Sequence, residues 1–364
     1  MRSVIALGSL LVVMLITATA NAQGRRMVII DQDGSGPGGT NQMAMMLLLQ
    51  SQQAEVLGIT MVSGDAWEPE AVEHTLRMLE LIDRTDVPVV PGAVFPLVRS
   101  EQEWKLQKKL YGGYAWYGAW GDVSEKTSRE PYHGPFVVPK MVEGEPTLKP
   151  AQEDAADFLI RQVHAHPHEV TIYAGGPLTN IAMAISIDPQ FAEMTRGIVM
   201  MGGSLNPQTK DPEFATNPRH EFNFWFDPEA AHIVLRARWP RIDLTTVDIS
   251  IKTRFNKMML DEIARSGSPA GKYLAAYTSD FYYCWDELAA AAWLEPSIIT
   301  KEDKLYIDVN LSRGPGYGDT VSWSETNKPA LDLSLVHVQV DLNLARFNRL
   351  FVELMKAPPQ SPVK

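Results

Sequence analysis

The chain of 364 residues is 45% hydrophobic and 21% charged, ordinary proportions for a globular protein that buries one large core or two small ones. Its formal charge of -11, with no cluster of Lys and Arg, excludes a protein that grips nucleic-acid phosphates. A single cysteine, Cys284, excludes an internal disulfide and reads as a buried structural thiol.

The first segment stands apart. Arg2 precedes the apolar run "VIALGSLLVVMLITA", too short and poorly flanked for a membrane span, and "ANA" at 20–22 fits a small-x-small processing rule. Residues 1–22 are therefore expected to be a signal peptide cleaved between Ala22 and Gln23. The mature chain is expected to be secreted or periplasmic, with no membrane attachment after cleavage.

From Met27 the chain alternates strand-like and helix-like pieces. "MVIID" reads as a buried strand, "NQMAMMLLLQSQQ" as a helix, "EVLGITMVSG" as a strand and "EPEAVEHTLRMLELIDRTD" as a helix. "VPVVPGA" is a third strand, and "DAADFLIRQVHAHP" a further helix. "EVTIYAGG", "RGIVMMGG" and "RIDLTTVDIS" continue the strands, with helices "LTNIAMAISIDP" and "DPEAAHIVLRA" between them. Such alternation predicts a single α/β domain over residues 25–357, with a mainly parallel, Rossmann-like sheet flanked by helices. Ligands of these sheets lie beyond the carboxyl ends of the strands. Two segments break the rhythm. Residues 100–150 hold "LYGGYAWYGAWGD", read either as an insertion packing its own aromatics or as a lid over a ligand. Residues 204–220 form a polar, proline-bearing loop.

Candidate chemistry falls at the strand ends. Asp31 and Asp33 lie on the same side of an extended strand end, ~6–7 Å apart, where they can share a hard cation. Either can also take a proton from water. "GGPLTN" at 175–180 reads as a turn in which the glycines let the backbone present a carbonyl or amide. In "EFNFWFDPEA", Glu221 and Asn223 are expected on one face of an extended segment, a carboxylate and an amide suited to paired sugar hydroxyls. Asp227 ahead of "PEAA" reads as a structural helix cap. Asp286, between Trp285 and Glu287 and ahead of "LAAAA", reads equally well as a cap or a site residue. The loop "GSGPGG" lacks the Lys-Ser/Thr ending of a phosphate loop.

Taken in order, the aspartate-bearing strand end, "GITMVSGD", "RTDVPVVPGA", "AGGPLTNIA", "VMMGG", "EFNFWFDPEA" and "WDELAAAAWLEPSIIT" resemble the inosine-uridine-preferring nucleoside hydrolases from about Met27 to Leu354. The resemblance implies a hydrolase of ribonucleosides or related N-ribosides that uses one Ca²⁺ and is a homo-oligomer, dimer or tetramer. It implies Asp33 as general base, and Asp31, Asp33, Gln42, the Thr179 carbonyl and Asp286 around the ion. Asn41, Asp65, Met201, Asn217, Glu221, Asn223 and Trp285 would then meet the substrate. The departures are specific. The family pattern D-x-D-x-x-x-D-D is lengthened here by four residues, and its last two aspartates are Asn41 and Gln42. Asp65 replaces an asparagine, and Trp285 stands where many members carry a proton-donating histidine. Fewer ligand charges weaken a calcium site, and Asp65 returns one. Two other readings stay open: a sugar- or nucleoside-binding protein with weakened catalysis, and a hydrolase of another glycoside.

Overall fold

A computed structural model describes residues 24–114, 116–121, 133–215, 220–278 and 281–360. The expected signal peptide, its cleavage point and Asn217 lie outside the described residues.

Strand β1 (Arg26–Gln32) is the hydrophobic run that opens the domain, and its Val28, Ile29 and Ile30 are fully buried. It pairs in parallel with β2 (Ala54–Met61) on one side. On the other it pairs with β4 (Thr171–Ala174). The two-residue strand β3 (Val89–Val90) extends the β2 edge. Beyond β4 come β5 (Gly197–Met201) and β6 (Ile242–Thr245), again parallel. The sheet continues with β7 (Ile299–Val309), β8 (Thr320–Trp323) and β9 (Leu335–Leu342), in the order β3-β2-β1-β4-β5-β6-β9-β7-β8. Only β7 is antiparallel to its neighbours, β8 and β9. The mainly parallel sheet expected from the sequence is therefore present. The hairpin-like addition of β7 and β8 was not legible, because these strands carry exposed polar residues such as Lys301, Glu302 and Asp303.

Apolar layers cover both faces of the sheet. The helix Thr40–Gln50 lies in one of them, with every residue after Thr40 buried. Each fully buried leucine among Leu47, Leu48 and Leu49 contributes ~1.5–3 kcal/mol of transfer free energy. That burial holds the helix start, with Asn41 and Gln42, against the end of β1. No described helix is long and apolar enough to cross a membrane.

Two local expectations are corrected. "RIDLTTVDIS" is a strand only through Thr245; Val247–Ser250 is helical. Glu221 and Asn223 do not lie on an extended segment, since Phe222–Phe226 is a short helix with Glu221 as its cap. The run of aromatic residues favours a strand by propensity, but the Glu221 carboxylate takes up the free N–H groups of a helix start and decides the matter. In the insertion, Glu101–Tyr111 is a helix begun by a reciprocal Ser100–Glu103 cap. Trp104, Tyr117 and Trp120 bury themselves against Trp225 and Phe226.

Candidate active site

A cavity of about 440 Å³ opens beyond the carboxyl ends of the parallel strands, a size suited to a small-molecule ligand. Its floor brings together Asn41, Asp65, Gly175, Met201, Glu221, Asn223 and Asp286. Asp33 lies just beneath, 1% exposed, and Asp31, Gln42 and Thr179 are fully buried behind it.

Asp33 is the most constrained of these. Its Oδ1 accepts from the Asn41 amide at 2.7 Å and its Oδ2 from the Asp65 N–H at 2.8 Å. The glycines around it serve close approach: a Cβ on Gly64 would lie 2.1 Å from Asp33 Oδ2, and one on Gly176 2.9 Å from Asp33 Cβ. Gly175 similarly makes room for Gln32, whose amide a Cβ there would meet at 2.3 Å. The "GG" of the turn thus acts by clearance rather than by an unusual backbone conformation.

Gln32, which sequence reasoning passed over, joins the two key carboxylates. Its Oε1 accepts from the Asp33 N–H at 2.9 Å, and its Nε2 donates to Asp286 Oδ2 at 3.3 Å. The Asn41 amide completes the bridge, 3.3 Å from Gln32 Oε1 and 3.4 Å from Asp286 Oδ2. No periodicity marks Gln32; only its place between two aspartates could have drawn attention to it.

Burial raises the proton affinity of the whole group. It holds Asp33 well above the usual carboxylate range, with the negative charges of Asp65 and Asp286 adding to the effect. Asp286 is raised first by burial and then by Glu287 and Asp65. Asp31 is pushed up to about 7 by burial, although Thr60 and Asn180 donate to its Oδ1 at 2.5 and 2.8 Å. Among the described residues its Oδ2 has no hydrogen-bond partner. Neither polar atom of the Gln42 amide has one among them either.

The sugar-gripping pair is set differently from the sequence expectation, yet both members reach the cavity. Glu221 accepts from the N–H groups of Asn223, Phe224 and Gly203 at 2.8, 3.0 and 3.0 Å. Burial still raises it to about 7. Asn223 donates to the Met201 carbonyl at 3.1 Å. Asp227 is the helix cap the sequence indicated, and it also takes the Thr179 hydroxyl at 2.7 Å, fixing the turn 175–180.

Around the mouth stand rings. Trp116 of the insertion lines the cavity and donates its indole N–H to Asp65, so the insertion both packs its own aromatics and reaches the site. Trp285 also lines the cavity, in edge contact with Phe214 and Tyr283 at 5.3 Å each. Glu287, mentioned only as a neighbour of Asp286, also lines the cavity; Thr40 donates to it at 2.6 Å, and burial raises it to about 8. Cys284 is buried away from the cavity wall.

A parallel sheet that gathers buried carboxylates and amides beneath a ring-lined mouth defines a hydrolase that grips a sugar and accommodates a flat group. The family profile of inosine-uridine preferring nucleoside hydrolases matches residues 28–349. Uridine nucleosidase 1 of Arabidopsis thaliana is 32% identical over 71% of this chain and 67% of its own length. An uncharacterised Schizosaccharomyces pombe protein is 29% identical over 82% and 76%. The solved structure of a plant nucleoside hydrolase superposes with a TM-score of 0.71 at 26% identity, covering 92% of this chain and all of that one. The chain belongs to the inosine-uridine preferring nucleoside hydrolase family. It is a nucleosidase, hydrolysing the N-glycosidic bond of ribonucleosides.

Proposed function

We propose that this nucleosidase works with Asp33 as general base and a weakly held Ca²⁺. The observation that carries the reading is the convergence of Asp65, Asp286, Glu221 and Asn223 on one cavity at the strand ends, with Asp33 buried just beneath and bonded to the Asp65 N–H.

The donor set suits a hard cation. Asp33 and Asp286 are buried carboxylates whose hydrogen-bond partners are amides and a backbone N–H, and a divalent ion would offset their mutual repulsion. The Thr179 carbonyl, on a turn fixed by Asp227, would add a neutral oxygen. Asp65 supplies charge that Asn41 and Gln42 lack, whereas Gln42 lies behind the cavity wall. When bound, the ion would polarise water and hold ribose hydroxyls.

The chain's own residues do the rest. Asp33 takes the proton of the attacking water. Asn41 and Gln32 hold Asp33 and Asp286 in register. Glu221 and Asn223 meet ribose hydroxyls. The buried carboxylates favour the positive charge that develops on the sugar as the bond to the base breaks. The substrate is a small-molecule nucleoside, and the mature protein is a secreted or periplasmic homo-oligomer, a reading supported by the leader and the resemblance.

Free ribose released from a panel of purine and pyrimidine nucleosides with Ca²⁺ tests the reading. Release should be lost on chelation and fall at least 10³-fold in Asp33→Ala. The amide at Asn41 favours a second reading, a nucleoside-binding protein with weakened catalysis. A ligand that stabilises the fold yet is recovered intact from every incubation would establish it.

A further inference from the structure

We infer that Glu213 is the proton donor to the departing base; the inference rests on the nucleosidase reading above. The loop 204–220 was legible only as a polar connection. In the structure its described part, residues 204–215, brings Glu213 and Phe214 to the cavity wall.

A general acid must lie where the base lies, not where the ribose lies. Asp65, Glu221 and Asp286 belong to the floor, and Glu287 is held by Thr40 beside them. Trp285 faces the base region, but an indole N–H does not give up its proton in this pH range. Glu213 shares a wall with Phe214, Tyr282, Tyr283 and Trp285, the flat surfaces on which a base would stack.

The carboxyl group is also positioned for the task. Its backbone N–H donates to Asp211 Oδ1 at 3.1 Å, which fixes the turn. The Tyr282 hydroxyl donates to Glu213 Oε2 at 2.7 Å, leaving Oε1 to carry a transferable proton. Beside it, Tyr283 donates to Asp211 at 3.0 Å, and Arg254 lies over the Tyr283 ring at 5.4 Å. Among the described residues, Asp211, Tyr282 and Tyr283 are thus the ionisable groups that face Glu213, with Arg254 one ring further off. Burial, opposed by the Tyr282 hydrogen bond and assisted by Asp211, raises Glu213 above its ordinary range, which keeps the acid form populated at higher pH.

The step balances. The bond from the anomeric carbon to the base nitrogen breaks with its electron pair going to the base. Glu213 Oε1–H gives its proton to a ring nitrogen or oxygen of that base. Water adds to the anomeric carbon and yields its proton to Asp33, and solvent carries that proton back to Glu213.

Two ribosides separate this role from mere positioning. Uridine has a leaving group that needs protonation; 4-nitrophenyl β-D-ribofuranoside releases a stable phenolate that does not. Glu213→Gln should lower kcat on uridine by 10²–10³-fold and leave the nitrophenyl riboside within about threefold of the unmodified enzyme. The uridine rate of the unmodified enzyme should fall as pH rises through the Glu213 pKa, and the variant should lose that limb. Tyr282→Phe should shift the limb without abolishing it. Equal losses on both substrates, or no loss on uridine, would overturn the inference. An unmodified enzyme that releases ribose from neither substrate would instead overturn the nucleosidase reading beneath it.

Discussion

Asn41 concentrates the chemistry that distinguishes this chain from its family. Its amide sits 2.7 Å from Asp33 and 3.4 Å from Asp286, where the family resemblance implies a carboxylate. A neutral donor tames two buried negative charges at the expense of cation affinity. Asn41→Asp should therefore tighten Ca²⁺ binding at least tenfold, measured by calorimetric titration, because affinity follows ligand charge. The same variant in chelator should be less stable by ~1–3 kcal/mol, since a third carboxylate joins Asp33 and Asp286 in a buried space. Unchanged affinity would mean that the ion does not approach this position. The identity of position 41 is plain in the sequence; that its amide spans Gln32, Asp33 and Asp286 is not, because Asp286 lies 245 residues away in the chain.

At the scale of elements, the lengthened first loop gains a support the sequence did not disclose. His74, on the helix Glu68–Leu81, is buried beneath Gly36 of that loop. Its Nδ1 pairs with Glu143 and its Nε2 lies 3.7 Å from Glu70. Burial alone would lower the imidazole; the hydrogen bonds and charges of Glu143 and Glu70 outweigh it and raise His74 to about 9. A folded-state pKa above the unfolded value of about 6.5 gives stability that is full below pH 6.5 and lost as pH climbs through 9. His74→Asn should accordingly cost ~1–3 kcal/mol at pH 6 and little at pH 10, read from denaturant unfolding at the two pH values. An equal cost at both would point to packing alone. The helix itself was legible from its apolar spacing. Its pairing with Glu143 was not, because Glu143 comes from the insertion at 100–150, whose glycines conceal its local structure.

At the scale of the whole molecule, an acidic chain gathers several of its buried carboxylates at one cavity. Asp65, Asp286, Glu221 and Glu287 line it, and Asp33 lies beneath them. Their burial is unfavourable unless a cation or protons offset it. Calcium at 10 mM should raise the unfolding free energy by ~1–3 kcal/mol if its dissociation constant lies at 10⁻⁴ to 10⁻³ M, with Mg²⁺ less effective because it demands a tighter octahedral shell. Differential scanning fluorimetry with and without chelator reads this directly, and no shift at 10 mM would remove the ion from the mechanism.

The sequence by itself determined the alternating architecture and the strand ends where chemistry gathers. Both follow from local periodicity and from the rule that parallel sheets bind ligands beyond their carboxyl ends. Asp31, Asp33 and Asp65 stood out for that reason, whereas Glu221, Asn223 and Asp286 were candidates through their residue chemistry and the family resemblance. Tertiary structure alone decided that Gln32 bridges Asp33 to Asp286, that Trp116 reaches Asp65 and that Glu213 faces the ring-lined mouth. Each is a contact between segments distant in the chain or between a residue and a neighbour that no pattern singles out. Propensity and spacing describe a segment's own conformation; only the packing of the helices on the sheet fixes which segments meet.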